Sequence, residues 1–323
     1  MDQDNKVADD DMTFCAACGM PECDDITLKT CTSCKSVRYC SVKCQKNHRP
    51  QHKRACKKRA AELRDELLFK QPESSHLGDC PICMIPLPLD PEKSTMMTCC
   101  SKVVCGGCDH ANLIREMQAK LVDKCPFCRK PEPTTEEEIE ENIMKRIEAN
   151  DPVAISQQGS ECYKKGDYSS AVEYYMKAAK LGDIEANYKL ASCFDLGHGI
   201  EKDEKKELFH LEEAAIGGHP SARYSLGLIE RRNGRIERAI KHWMVAANLG
   251  DDDSIMVLKE QYAEGRISKE NFAAALRAHQ AAVDATKSPQ REAAKEYEFT
   301  LDAFQRQAIL CLENNQSVLV VNK

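Results

Sequence analysis

Between Cys80 and Cys128 the chain sets out four pairs of soft ligands: Cys80-x2-Cys83, the adjacent Cys99 and Cys100, Cys105-x2-Cys108 and Cys125-x2-Cys128. Two cysteines two residues apart grip one Zn2+ from a tight turn, and two such pairs close a tetrahedron. Eight thiolates therefore make two zinc sites. So short a segment has little apolar core, and metal binding supplies much of its folding free energy.

A second series lies nearer the N-terminus: Cys15-x2-Cys18, Cys31-x2-Cys34, Cys40-x3-Cys44 and His52-x3-Cys56. Its last two pairs suit one face of a short helix. Together the two series account for most of the nineteen cysteines, sixteen of which precede residue 129. Disulfides are the rival explanation, and they need an oxidising compartment. The opening stretch holds Asp2, Asp4, Asp9, Asp10 and Asp11 around no apolar core, unlike a signal peptide. No run of eighteen apolar residues occurs, so no membrane span is expected. Reduced cysteines holding zinc in the cytoplasm or nucleus is the reading these features favour. The net charge of −6 argues against general nucleic-acid binding.

Residues carry three family resemblances. The stretch 15–56 resembles a MYND-type zinc finger, with Tyr39 before Cys40, Gln45 after Cys44 and the His52-Lys53-x2-Cys56 ending in place. That resemblance gives one zinc to Cys15, Cys18, Cys40 and Cys44, and the other to Cys31, Cys34, His52 and Cys56. Cys23 and His48 stand outside the pattern, as a loop thiol and a surface histidine. MYND modules bind short proline-containing peptides, and many carry a Trp three residues before the ligand histidine. Here Arg49 stands there, a poor substitute for a rigid apolar platform. The stretch 79–130 resembles a RING-type zinc finger of the all-cysteine kind. The resemblance assigns Cys80, Cys83, Cys105 and Cys108 to one zinc and Cys99, Cys100, Cys125 and Cys128 to the other. The common RING histidine three residues before the fifth ligand is Lys102 here, which cannot bind zinc; His110 is the alternative fourth ligand. Four zinc ions are expected in all.

Beyond Pro131 and Pro133 the composition changes. Thr134 and Thr135 precede Glu137 and Glu138 at capping-box spacing, and Ile139, Ile143 and Ile147 recur every four residues. A unit then repeats. Ala178-Ala179-Lys180-Leu181-Gly182-Asp183 returns as Ala214 to His219 and as Ala246 to Asp251, with Asn150 in the corresponding place one unit earlier. From Asn150 through Gly182 and Gly218 to Gly250 the spacings are 32, 36 and 32 residues. Leu190, Leu226 and Leu258 share one place in the following helix. Such a period predicts stacked helical hairpins. The stretch resembles Sel1-like repeats, relatives of the tetratricopeptide repeat, and Gly197, Gly199, Ile200, Asp203 and Lys206 match the family's loop. Stacked hairpins bury a shared core and leave a concave face for a protein partner.

The expected architecture is thus small zinc-stabilised domains of MYND and RING cross-brace type plus an all-α helical-hairpin solenoid. Its parts are an acidic disordered tail at 1–13, the MYND-type finger at 14–57, helix and linker at 58–78, the RING-type finger at 79–130, repeats at 131–287 and a helix and tail at 288–323. Phe299, Leu301, Phe304, Ile309 and Leu310 are expected capping contacts, and 317–321 reads as a short strand or a frayed end. Lys46 to Arg59 holds seven basic residues and no acidic one, but Glu62, Asp65 and Glu66 follow, so a solvated helix face is favoured over an anion-binding patch. Cys162, Cys193 and Cys311 read as small buried hydrophobes. His210 and His242 read as packing or surface residues.

Two functions compete. The RING resemblance implies a ubiquitin ligase that docks a ubiquitin-charged conjugating enzyme and orients its thioester, with no covalent chemistry of its own. Ile82 inside the first ligand pair, Pro126 inside the last and Arg129 directly after Cys128 match the positions that contact the conjugating enzyme. Leu113 and Met117 follow Cys108, without the Trp that many active RINGs carry. The alternative is a non-catalytic adaptor that joins protein partners. A methyltransferase of the kind that contains some MYND fingers is set aside, because its catalytic domain exceeds any unassigned stretch.

Overall fold

The computed structural model describes residues 13 to 300, with side chains to residue 294. The tail at 1–12, the residues from Leu301 onward and the Phe299 side chain lie outside that description. It divides into two compact units that meet between Lys70 and Gln71.

The first unit is a two-stranded hairpin followed by a long helix. Strands β1 (Lys29–Thr30) and β2 (Arg38–Tyr39) pair antiparallel, and α1 runs from Val42 to Leu68. Glu22 ties the loops together. It accepts two hydrogen bonds from the Arg38 guanidinium at 2.6 Å and one from the Leu28 backbone N–H at 3.0 Å. Ser41 caps α1 by accepting from Cys44 N. The sequence places a short helix near the last ligands and a further helix leaving the finger; the structure joins them as one helix, α1, continuous through Pro50. A proline inside a helix removes one backbone donor and crowds the preceding turn. Here Cys44 lies before Pro50, and His52 and Cys56 after it, so residues of two candidate metal sites flank the proline. The basic face of α1 is mostly solvated, and Arg59 pairs with Glu62 and Glu66.

The second unit starts with the strand hairpin β3 (Ser94–Met97) and β4 (Lys102–Cys105), whose turn carries Cys99 and Cys100. Helix α2 (Gly106–Gln118) leaves directly from Cys105. Leu87, Met97 and Val104 form the small core between the ligands. Helix α3 (Glu136–Glu148) opens with Thr135 accepting from Glu138 N, while the Glu138 carboxylate accepts from Thr134 N at 2.7 Å. Ile143 and Ile147 are buried, but Ile139 in the first turn is exposed, so the expected stripe is shorter by one residue.

Four hairpins follow: α4 (Pro152–Lys164) with α5 (Tyr168–Lys180), α6 (Ile184–Leu196) with α7 (Glu204–Ile216), α8 (Pro220–Arg232) with α9 (Ile236–Ala247), and α10 (Asp252–Ala263) with α11 (Lys269–Ala285). The repeated turn has a physical reason. Gly182, Gly218 and Gly250 adopt φ of 93°, 86° and 91°, the left-handed region that glycine enters without steric penalty, and Asn150 does so at 56°. The next residue in each unit, Asp151, Asp183, His219 or Asp251, caps the following helix with its side chain. Ala178, Ala214 and Ala246 are fully buried, and Leu190, Leu226 and Leu258 are buried in the core of the array. Helix α12 (Pro289–Thr300) occupies part of the predicted terminal helix and packs on α2, placing its first turns against the zinc module.

Candidate metal centres

The structure brings the sixteen predicted ligands into four groups. Cys15, Cys18, Cys40 and Cys44 form one, and Cys31, Cys34, His52 and Cys56 the second. Cys80, Cys83, Cys105 and Cys108 form the third, and Cys99, Cys100, Cys125 and Cys128 the fourth, so pairs one and three join, as do pairs two and four. Within each group all ligand atoms lie within 4.8 Å of one another. His110 is not in the fourth group.

One local device builds four of the five Cys-x2-Cys pairs, the exception being Cys105 and Cys108 at the start of α2. Gly19, Lys35, Met84 and Arg129 each follow the second cysteine of a pair with φ of 70°, 56°, 56° and 63°. Each donates its backbone N–H to the carbonyl of the first cysteine, at 2.8 Å (Gly19 to Cys15), 3.0 Å (Lys35 to Cys31), 2.9 Å (Met84 to Cys80) and 3.0 Å (Arg129 to Cys125). The chain thus turns sharply at each pair and aims both sulfurs at one point. Three of the four positions are not glycine, so a left-handed residue costs strain that the closed turn must offset.

The groups fit zinc. A tetrahedron with Zn–S bonds of ~2.3 Å has edges of about 3.8 Å. Sulfur separations are 3.7 Å for Cys18 and Cys40, 3.8 Å for Cys31 and Cys56, 3.8 Å for Cys83 and Cys105, and 3.9 Å for Cys100 and Cys125. The Cys34 sulfur lies 3.3 Å from His52 Nε2. Backbone N–H groups already face some sulfurs: Cys105 N lies 3.4 Å from the Cys80 sulfur, and Cys128 N 3.4 Å from that of Cys125. None of the cysteines among the described residues is in a disulfide.

Electrostatics says the same. Without a cation, four crowded thiols cannot all ionise, and their protonation states split apart. Burial would raise the Cys15 thiol, but hydrogen bonds from the backbone of Cys40, Ala17 and Cys18 outweigh it and bring it to about 6. Hydrogen bonding with the neighbouring thiols of Cys44, Cys15 and Cys18 pushes Cys40 up to about 12. In the second module, backbone hydrogen bonds overcome burial and hold Cys80 at about 7, whereas burial drives Cys108 far above the thiol range. A bound zinc ion removes the conflict by favouring the thiolate at every ligand.

Several supporting residues are invisible to ligand spacing. His48, read from sequence as a surface group, stacks on His52 at 5.5 Å and meets the Tyr39 hydroxyl through Nδ1 at 3.1 Å. It orients a ligand without being one, as outer partners of metal-bound histidines do. Glu116 of α2 is wholly buried and receives Arg129 at 2.5 Å and the backbone N–H of Lys124 at 2.8 Å. Arg129 also donates to Asn112 at 2.7 Å. Hence the side chain that the RING resemblance turns outward is engaged with its own domain. Ile82 and Phe127 are exposed within the first and last ligand pairs, Pro126 is half-buried, and the Lys102 ammonium sits 6.0 Å above the Phe127 ring.

These features define a zinc-finger protein with an all-helical repeat body. Residues 15–56 match the MYND finger family. The chain is 24% identical over 196 residues to DAP3-binding cell death enhancer 1 of Mus musculus, covering 48% of this chain and 38% of that protein. A 29-residue stretch, 9% of this chain and 3% of the relative, is 76% identical to exosome RNA helicase MTR4 of Homo sapiens. The chain therefore spans well under half the length of these curated relatives. Among solved structures, a Sel1 repeat protein from Oxalobacter formigenes superimposes with a TM-score of 0.41 at 23% identity, over 53% of this chain and 51% of that one. No helix among the described residues is long and apolar enough to cross a membrane.

Proposed function

We propose that this chain is a protein-interaction adaptor whose second zinc module acts as a RING-type ubiquitin ligase. The adaptor part rests on the MYND finger and on a hairpin array of the Sel1-like kind, both of which present surfaces to protein partners. The ligase part rests chiefly on Ile82. It is an apolar residue 41% exposed inside a turn that two zinc ligands hold. A large apolar side chain pinned outward by metal is available for docking at little entropic cost. Its partner is a conjugating enzyme, and the array recruits the protein to be modified. A chain whose cysteines serve as reduced zinc ligands suits the cytoplasm or nucleus, and that is the location this reading favours.

A ubiquitin transfer assay with zinc-loaded protein and a panel of conjugating enzymes tests this. Transfer that falls in Ile82→Ala while zinc content holds supports the ligase reading. No transfer with any conjugating enzyme leaves the adaptor alone. The capture of Arg129 by Glu116 and Asn112 favours that second reading, since a guanidinium so held must be released before it can bridge two other proteins.

A further inference from the structure

The segment 71–78, which leads into Cys80, lies across the tips of the repeat hairpins. Asn248 donates to the Gln71 side-chain oxygen at 3.0 Å, and His76 N donates to the Gly218 carbonyl at 3.1 Å. Gly218 has to be glycine for this approach: a Cβ there would meet the Ser74 carbonyl oxygen at 2.8 Å. The His76 ring stacks on His219 at 4.1 Å and 12°. Both histidines reach one carboxylate oxygen of Glu185, from Nε2 of His76 at 3.3 Å and Nε2 of His219 at 2.9 Å. Both rings are more than nine-tenths buried.

Two imidazoles and a carboxylate within 4.8 Å could hold a divalent metal. The remaining ring nitrogens argue otherwise. A metal-bound histidine carries its proton on the other nitrogen and donates it to an acceptor. His219 Nδ1 instead accepts the Ala222 backbone N–H at 3.3 Å, as the helix cap of its repeat. His76 Nδ1 is buried and faces no hydrogen-bond partner among the described residues. Near-parallel rings also do not converge their Nε2 lone pairs on one point. His219 therefore fits as a neutral ring donating Nε2–H to Glu185, with His76 Nε2 beside the same oxygen at 3.3 Å.

We propose that His76, Glu185 and His219 form a proton-operated clasp that holds the segment 71–78 on the repeat array at neutral pH and releases it in mild acid. An added proton has no good place. On His219 it would go to Nδ1, against the Ala222 N–H. The other titratable groups facing the pair are Lys189, 3.1 Å from Glu185, Tyr188, whose ring lies 4.3 Å from that of His219, and Asp183. Asp251 acts on Tyr188 from the next repeat. Burial, aided by His76 and Lys189, outweighs the Glu185 carboxylate and keeps His219 below the usual imidazole range. The sign follows. A histidine held neutral by the fold stabilises at pH above the free imidazole value of about 6.5, and that contribution is lost as pH falls below it. Because the segment enters the second zinc module at Cys80, its release loosens that module's tether to the array.

The test uses the full zinc-loaded chain. Amide exchange of residues 71–78, corrected for its intrinsic pH dependence, is followed from pH 7.5 to 6.0 while a zinc indicator confirms that metal is retained. Exchange should rise by about threefold, most of it below the free imidazole value of about 6.5. His76→Gln should give fast exchange at both pH values. His219→Asn keeps a capping side chain but has no titrating ring, and should flatten the pH response. Unchanged protection across the range overturns the proposal, as does an undiminished pH response in both variants. A fifth zinc per chain that His76→Gln removes, with protection following metal rather than pH, overturns it in favour of a metal site.

Discussion

Arg291 of α12 donates to the Cys83 sulfur at 3.6 Å and to the Ile85 carbonyl at 3.1 Å, while its other terminal nitrogen donates to the Pro86 carbonyl at 2.7 Å. The first ligand pair of the second module is thus held from behind by a residue more than two hundred positions later. Gly107 makes this approach feasible, because a Cβ there would lie 2.8 Å from Arg291. A cation beside a ligating thiolate favours its ionised form, and the fork of donors sets the direction of the turn.

Arg291→Ala should release zinc from the Cys80 site about tenfold faster, within the range seen for lost outer-shell partners. Chelator-competition kinetics on the full chain measure it. The sites built from Cys15 to Cys56 should keep their rates, and an equal rate at every site in variant and parent would refute the role.

Arg129→Ala should destabilise the second module before it affects any partner. It removes a charge partner from a fully buried Glu116 and leaves Arg115 and the Lys124 N–H to compensate. Arg129 is itself partly exposed, so the cost is set at about 1–2 kcal/mol, below that of a wholly buried pair. Thermal unfolding gives the number. The same pair has a pH signature. Burial would raise the Glu116 carboxyl, but the Lys124 N–H and Arg129 outweigh it and hold it below the ordinary range. Its contribution is present above the ordinary carboxylate range near 4.3 and fades as pH drops below it. Arg129→Ala should flatten that part of the stability profile.

Gly227→Ala tests the packing of the array. A Cβ at this position would stand 2.2 Å from Trp243 Nε1, in the middle of a fully buried indole. Overpacking of this kind costs about 1–3 kcal/mol. Denaturant unfolding should show it, with zinc content unchanged. A neutral effect would mean that Trp243 has room to repack.

Zinc content should be four ions per chain by elemental analysis. Cys99→Ser and Cys15→Ser should each remove one, from different modules. Acid should release zinc, because protons compete for the thiolates that hold it. Loss of a second ion with Cys99→Ser would show that the two sites of its module fold as one.

Spacing and family resemblance together picked out the sixteen candidate ligands, because a metal imposes the same short-range geometry wherever soft ligands sit close along the chain. The hairpin period was legible for a similar reason: the left-handed residue, the helix cap and the crossing alanine are local requirements that recur with each unit. What the sequence left open depends on long-range contact. Nothing near Arg291 announces a zinc module, and nothing near Glu116 announces Arg129. His76 lies in a stretch that reads as a polar linker, and only folding brings it onto a histidine and a glutamate from two different repeats. Helix α1 passes through Pro50 with residues of two candidate metal sites on either side of it, ligands gathered from strands and loops far along the chain. Local chemistry wrote the zinc turns and the hairpins, whereas the tertiary structure decided which surfaces stay free, since burial and charge pairing are set by residues far apart in the chain.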